Sequence, residues 1–260
     1  DNEAKNKLIE SALGDKSIIQ LYTDEGVKTK YFTTKGVRDE ENKILRLSGY
    51  VANLENSMSS GGKITRIANE LVESSADGLT DEQHKALSSV LLGDSGLRVL
   101  RGRAGAGKSY VLGKANKVAT MSGVNVIGLA PTHKAKLGLA ECGYGRVDTV
   151  KGMLFKLANG RFDLPKHSLL VVDEAGMIAN DDYKELLRVA ATRKCNVVLA
   201  GDERQLASVS RGGMFEVFAG KYGSSTILDI QRQSGQWGKS VAMSMSEGRV
   251  ESAISILESE

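Results

Sequence analysis

The residues whose types and spacing best support chemistry form one string, Gly102-Arg103-Ala104-Gly105-Ala106-Gly107-Lys108-Ser109. Glycine at 102, 105 and 107 lets a backbone close tightly and turn successive N–H groups toward the oxygens of an anion. Lys108 adds a positive charge with reach, and Ser109 adds a hard hydroxyl oxygen of the kind that ligates Mg²⁺. The chemistry is that of a phosphate cradle. Further on, four apolar residues, Leu169–Val172, end in Asp173-Glu174. One acid suits the water shell of a cation, and the other suits a general base that polarises an attacking water. Together these parts predict a site for ATP and Mg²⁺, because phosphoryl transfer is mostly positioning and charge stabilisation.

Each string needs a particular local structure to work. A cradle must follow a strand and open a helix, so that the helix N-terminus and the loop amides face one anion. Leu97–Leu100 is a short apolar run before the string, and a helical pattern extends from it through Met121. The string therefore fits the Walker A pattern, and Leu169–Glu174 the Walker B arrangement. An acid pair after a strand is by itself commonly a solvated turn or a helix cap. Behind a well-placed cradle, the catalytic reading wins.

From residue 79 onward, short apolar runs at Leu97–Leu100, Val124–Leu129, Leu169–Val172, Val197–Ala200 and Thr226–Leu228 alternate with amphipathic stretches. Runs of this length between helices predict a parallel sheet covered on both faces. The expected fold class is α/β, a RecA-like P-loop NTPase with a central parallel sheet, preceded by a small α+β N-terminal domain. That domain is predicted to contain a helix over 2–13 and strands at Ser17–Tyr22 and Val27–Thr33 around the Asp24-Glu25-Gly26 turn. Helices over 36–54 and 63–74 should flank the Ser/Gly loop at 56–62. Ser74–Gly78 is the expected boundary, giving domains 1–78 and 79–228, with 229–260 beginning a second motor domain.

Beyond the cradle, the sequence resembles a known helicase family. Val198–Leu206, with Gly201-Asp202 and Gln205-Leu206, is similar to motif III of superfamily 1 helicases. Asp173–Gly176 resembles motif II, Leu79–Gln83 the Q motif, Ala130–Lys136 motif Ia, and Leu228–Gln233 motif IV. All keep their order around the cradle across residues 79–233. The resemblance is to the RecD-like branch, an AAA-type P-loop ATPase. Lys30–Thr34 with Glu40-Glu41 resembles the segment before the motor in conjugal-transfer relaxase-helicases of the TraA type.

This resemblance implies an ATP-dependent DNA helicase motor that binds single-stranded DNA in conjugative transfer. It implies that Gln83 pairs with the adenine edge, its amide offering a donor and an acceptor. It implies that Gln205 senses the γ-phosphate and Arg232 reaches it from the inter-domain side, beside catalytic Lys108 and Glu174. Mg²⁺ falls to Ser109 and Asp173. Thr132, His133, Lys134 and Lys136 are expected at a DNA phosphate path with Thr149 and Lys151. Lys151 departs from the Thr-Ile-His that the family often has there, which favours a phosphate contact over base stacking. Without the motifs, these residues would read as helix caps, a solvated face and surface charges. Trp237 is a sparse stacking candidate that would otherwise be core.

Composition sets the limits. Residues 1–78 carry a net −2 and residues 79–260 a net +5, so the basic part is the part with the motifs. That permits a nucleic-acid partner. No apolar run approaches 18 residues, and no signal-peptide pattern opens the chain, so neither a membrane partner nor export is expected. Cys142 and Cys195 have no metal-ligand spacing; they read as buried thiols in a reducing cytoplasm, with no structural metal. The chain opens on Asp1 rather than Met, and only 28 residues follow Arg232. The expectation is a piece of a longer protein, with the missing C-terminal motor domain as a partner. Two other readings compete: a non-catalytic DNA-binding or scaffold module, and a P-loop ATPase of recombination or repair.

Overall fold

In a computed structural model, residues 14–23, 25–56, 66, 69–70, 72–74, 78–103, 105–202 and 213–228 are described. The chain divides into two compact units, 1–46 and 47–260. In the first, β1 (Ile18–Tyr22) and β2 (Lys28–Thr34) pair antiparallel, with Ile18 opposite Thr34 and Gln20 opposite Phe32. Gly26 at φ +79 makes the turn, as the Asp-Glu-Gly string predicts. Helix α1 (Lys35–Ala52) follows. The expected helix at 2–13 lies outside the described residues, as does nearly all of 57–77.

In the second unit, α2 (Asp81–Leu92) precedes six strands: β3 (Leu97–Gly102), β4 (Val126–Ala130), β5 (Val147–Thr149), β6 (Leu169–Val172), β7 (Asn196–Gly201) and β8 (Ser225–Ile227). Every pairing is parallel, in the order β5-β4-β6-β7-β3-β8. Between them run α3 (Lys108–Met121), α4 (His133–Glu141), α5 (Val150–Ala158), α6 (Asn180–Arg193) and α7 (Met214–Tyr222). β4, β6 and β7 are buried along their whole length, which is why they read as unbroken apolar runs. The core joins Leu87 and Leu91 of α2, Leu112 and Val118 of α3, and Val171, Val198 and Ile227 of the sheet. This is the RecA-like α/β fold.

One detail departs from the sequence expectation. β5 lacks an apolar run, because Asp148 sits mid-strand, so periodicity missed it. Residues 47–56 pack with the sheet unit: Gly96 donates its N–H to the Ala52 carbonyl at 3.0 Å. The Asn56 side chain donates to the Leu91 and Gly93 carbonyls at 2.8 and 2.7 Å, closing the end of α2. Among the described residues, no helix is long and apolar enough to cross a membrane.

Candidate nucleotide site

β3 delivers the chain to Gly102, and α3 starts at Lys108. Between them Gly105 and Gly107 take φ of +83 and +91, the left-handed region that a side chain resists. Gly107 is doubly constrained, since a Cβ there would lie 2.4 Å from the Gln83 Nε2. The Lys108 ammonium turns back over the loop and donates to the carbonyls of Gly102 and, at 3.1 Å, Arg103. Ser109 follows in the first turn of α3, half-buried. Ala104 lies outside the described residues.

Gln83 is 4% exposed and both ends of its amide are engaged. Its Oε1 accepts from the Thr80 N–H at 3.1 Å, while the Thr80 hydroxyl accepts from the Gln83 N–H at 3.3 Å. That is a capping box at the start of α2. Its Nε2 donates to the Ala106 carbonyl at 3.1 Å. The Gln83 amide thus links the start of α2 to the phosphate loop through the Ala106 carbonyl.

Asp173 and Glu174 emerge from β6 at the same carboxyl edge of the sheet. Asp173 is tied to the neighbouring strand by its N–H to the Leu129 carbonyl at 2.9 Å. Its Oδ1 accepts the Glu174 N–H at 2.9 Å. Burial raises the Asp173 carboxyl above its ordinary value of 3.8, against the Glu174 N–H and the Lys108 charge. Glu174 is likewise raised, by burial and then by Asp173, with Lys108 and Lys134 opposing. Glu174 also holds φ +52 in the left-handed region, a strain of roughly 1–2 kcal/mol for a residue with a Cβ. Strain of this kind persists where surrounding structure enforces it. Here a 3₁₀ turn, Ala175–Met177, follows at once, and the buried Tyr183 of α6 donates its hydroxyl to the Ala175 carbonyl at 2.7 Å.

Strand order decides what stands between cradle and acids. β7 lies between β3 and β6, so Asp202, just past its end, falls between the two motifs. The close packing there explains Gly201, whose Cβ would come within 2.9 Å of the Phe215 ring. Gln205 and Arg232 lie outside the described residues.

The DNA candidates occupy the starts of α4 and α5. Thr132 caps α4, its hydroxyl accepting from the Ala135 N–H at 3.2 Å. Thr149 caps α5 in the same way, accepting from Gly152 N–H at 3.0 Å. A cap accepts through its oxygen and leaves the hydroxyl proton available to a phosphate. His133 and Lys134 are exposed and Lys136 is half-buried. Lys151 is 76% exposed and lies 3.8 Å from Asp182. Trp237 lies outside the described residues. Cys195 is buried and its thiol is pushed up to about 11 by that burial, whereas Cys142 is only half-buried.

Sequence reasoning missed Asp148. It is buried on β5, accepts the Thr149 N–H at 2.8 Å and pairs with Lys156 at 2.6 Å. Together with Thr149 it fixes the entry to α5, where a Cβ at Gly152 would lie 2.6 Å from Asp148 Oδ1. An acid flanked by Val147 and Thr149 was the available signal.

A glycine-lined loop opening a helix, a half-buried acid pair at the end of the next strand but one, and an all-parallel sheet define a P-loop ATPase domain. The chain belongs to the AAA domain family, whose model matches residues 78–260. It is 27% identical over 237 residues to the conjugal transfer protein TraA of Rhizobium radiobacter, covering 91% of this chain and 21% of that protein. It is also 27% identical over 179 residues to the TraA of Agrobacterium fabrum, covering 69% of this chain and 16% of that one. The chain thus spans about a fifth or less of these curated relatives. Among solved structures, it is similar to the Pif1 helicase of Candida albicans at TM-score 0.43 and 23% identity, covering 60% of this chain and 41% of that one. It is also similar to Drosophila ORC bound to DNA, at TM-score 0.38 and 19% identity, covering 70% and 51%.

Proposed function

We propose that this chain is the ATP-hydrolysing motor of an ATP-dependent DNA helicase that binds single-stranded DNA during conjugative transfer. One observation carries the reading. The Lys108 ammonium and the Asp173 and Glu174 carboxyls act on one another electrostatically at one edge of the sheet, and Lys134, at the start of α4, acts on the same Glu174.

The residues present fit ATP and Mg²⁺. Lys108 rests on two loop carbonyls, a weak hold that phosphate oxygens would outcompete through charge-assisted bonds. Ser109 and Asp173 supply hard oxygens for the ion. Burial that raises Asp173 describes a carboxyl short of positive charge, the deficit that a dication removes. The ion's contribution is to neutralise charge that develops on the phosphate oxygens. Glu174, raised toward neutrality by the same burial, is a stronger base than a solvated carboxylate and is aimed by its strained backbone. Gln205 and Arg232 complete the γ-phosphate contacts in this reading. Gln83 contributes by fixing the loop.

For DNA, the amino ends of α4 and α5 present Thr132, His133, Lys134, Thr149 and Lys151 in one direction, because β4 and β5 are adjacent and parallel. Helix N-termini with nearby cations favour phosphates. The deciding experiment is ATP hydrolysis by the full-length parent with and without single-stranded DNA. We expect DNA-stimulated turnover, abolished by Glu174→Gln with ATP binding retained, and binding itself abolished by Lys108→Ala. ATP turnover indifferent to DNA, or unchanged in Glu174→Gln, overturns the reading.

A further inference from the structure

The first turn of α6 touches two parts of the site at once. Its third residue, Asp182, has a carboxylate 3.8 Å from the Lys151 ammonium at the start of α5. The Lys151 side chain is 76% exposed and that of Asp182 only 20%, so the acid is the sheltered partner. Acids suit the first turn of a helix, and that alone would account for Asp181 and Asp182. Asp181, however, pairs within its own helix, with Lys184 at 2.6 Å, whereas Asp182 reaches across to α5.

The next residue, Tyr183, is buried. Its ring meets Phe218 of α7 edge-on, with centroids 5.4 Å apart, and its hydroxyl donates to the Ala175 carbonyl at 2.7 Å. Ala175 directly follows Glu174, whose carbonyl accepts the Met177 N–H at 3.0 Å. A side chain of α6 therefore holds the turn that carries the left-handed backbone of Glu174. A phenylalanine would fill the same space; the hydroxyl adds the tether. Asn180 opens the same helical turn. It is 2% exposed, and neither end of its amide makes a hydrogen bond among the described residues. An orphaned amide makes this packing costlier than one in which it is paired, so a small shift of the turn has something to gain.

We propose that the first turn of α6 links the DNA face to the catalytic base, with Asp182 and Tyr183 as its two positioning residues. This link rests on the helicase reading, because it is a route by which single-stranded DNA speeds hydrolysis. A DNA phosphate at Lys151 competes with Asp182 for the ammonium, and a long pair with an exposed lysine is a weak competitor. Asp182, left beside a phosphate of like charge, moves with its turn. The Tyr183 hydroxyl carries that movement to Ala175, bringing the Glu174 carboxylate onto the attacking water.

The test is kcat for ATP hydrolysis by the full-length parent, with and without a saturating single-stranded oligonucleotide. Tyr183→Phe keeps the ring and loses the tether. We expect its ATP KM and DNA Kd to match those of the parent, and its DNA-stimulation ratio to fall at least about fivefold, the lower end of coupling between sites. Asp182→Asn keeps the size of the side chain and loses the charge. We expect tighter DNA binding, because the competitor for Lys151 is gone, yet a ratio again lower by about fivefold or more. A purely structural role would lower both rates together and leave the ratio alone. Should Tyr183→Phe fail to fold, Asp182→Asn, on the helix surface, decides. In a parent that DNA stimulates, a ratio unchanged in either folded variant, or DNA binding no tighter in Asp182→Asn, overturns the link alone. A parent that hydrolyses ATP without responding to DNA overturns the helicase reading and the link with it.

Discussion

Replacing Gln83 by alanine separates two roles that the same side chain can play. If it braces the loop, the variant loses the Oε1 half of the capping box and the Nε2 bond to Ala106, and it leaves a buried carbonyl bare. A cap bond is worth about 1 kcal/mol. A buried carbonyl left unpaired costs about 1–3 kcal/mol. The expected loss is therefore on the order of 2–4 kcal/mol, and with a urea m-value of about 1–3 kcal/mol/M the midpoint falls by roughly 0.7–4 M. Because Ala106 lies within the cradle, a loosened loop weakens every nucleotide alike. The assay is urea unfolding of the 260-residue chain together with calorimetric titration of ATP and GTP. Equal loss for both nucleotides with a clear shift in midpoint is the expected result. A midpoint unchanged within about 0.5 kcal/mol, with ATP affinity lost and GTP affinity kept, would refute the brace and restore an adenine contact.

Asp173→Asn tests the electrostatics of the acid pair. Both carboxyls are raised in the fold above 3.8 and 4.5, so between unfolded and folded values the native state holds more protons, and stability falls as pH rises through that window. The amide variant should therefore be more stable than the parent near pH 8 without nucleotide, and the two should converge toward pH 4; a gap independent of pH removes burial as the cause. On the proposed DNA face, Lys134→Ala with Lys136→Ala should weaken single-stranded DNA binding across sequences alike and flatten its salt dependence by about one to two phosphate contacts. Unaltered affinity and salt slope would remove this face. Gly201→Ala should destabilise the chain by about 1–3 kcal/mol, since the new methyl enters the Phe215 ring; an unchanged thermal midpoint would show that the ring can yield.

The sequence by itself determined the parts whose cause is local. The strands buried on both faces, β4, β6 and β7, announced themselves as apolar runs, and the hairpin turn at Gly26 was legible from its residue types. The phosphate loop was legible too, because positive φ at Gly105 and Gly107 is a requirement written in glycine. β5 was not, because its central Asp148 is satisfied by a neighbouring N–H and by Lys156, partners that no short window reveals.

Only the tertiary structure decided how these parts meet. Parallel pairing in the order β5-β4-β6-β7-β3-β8 brings Lys108 and Glu174, 66 positions apart in the sequence, into one field and sets Asp202 between them. Gln83 has the same chemistry in either role, an amide with one donor end and one acceptor end. Its assignment to the loop rests on the approach of α2 to Ala106, which comes from core packing of Leu87 and Leu91. Arg98 carries the same lesson. Side-chain type marks it as a surface cation, and the packing of β3 against the end of α2 buries it, with Nη1 on the Leu91 and Gly93 carbonyls. Spacing along the chain fixes local geometry; long-range contacts fix which groups lose water, and desolvation sets their chemistry.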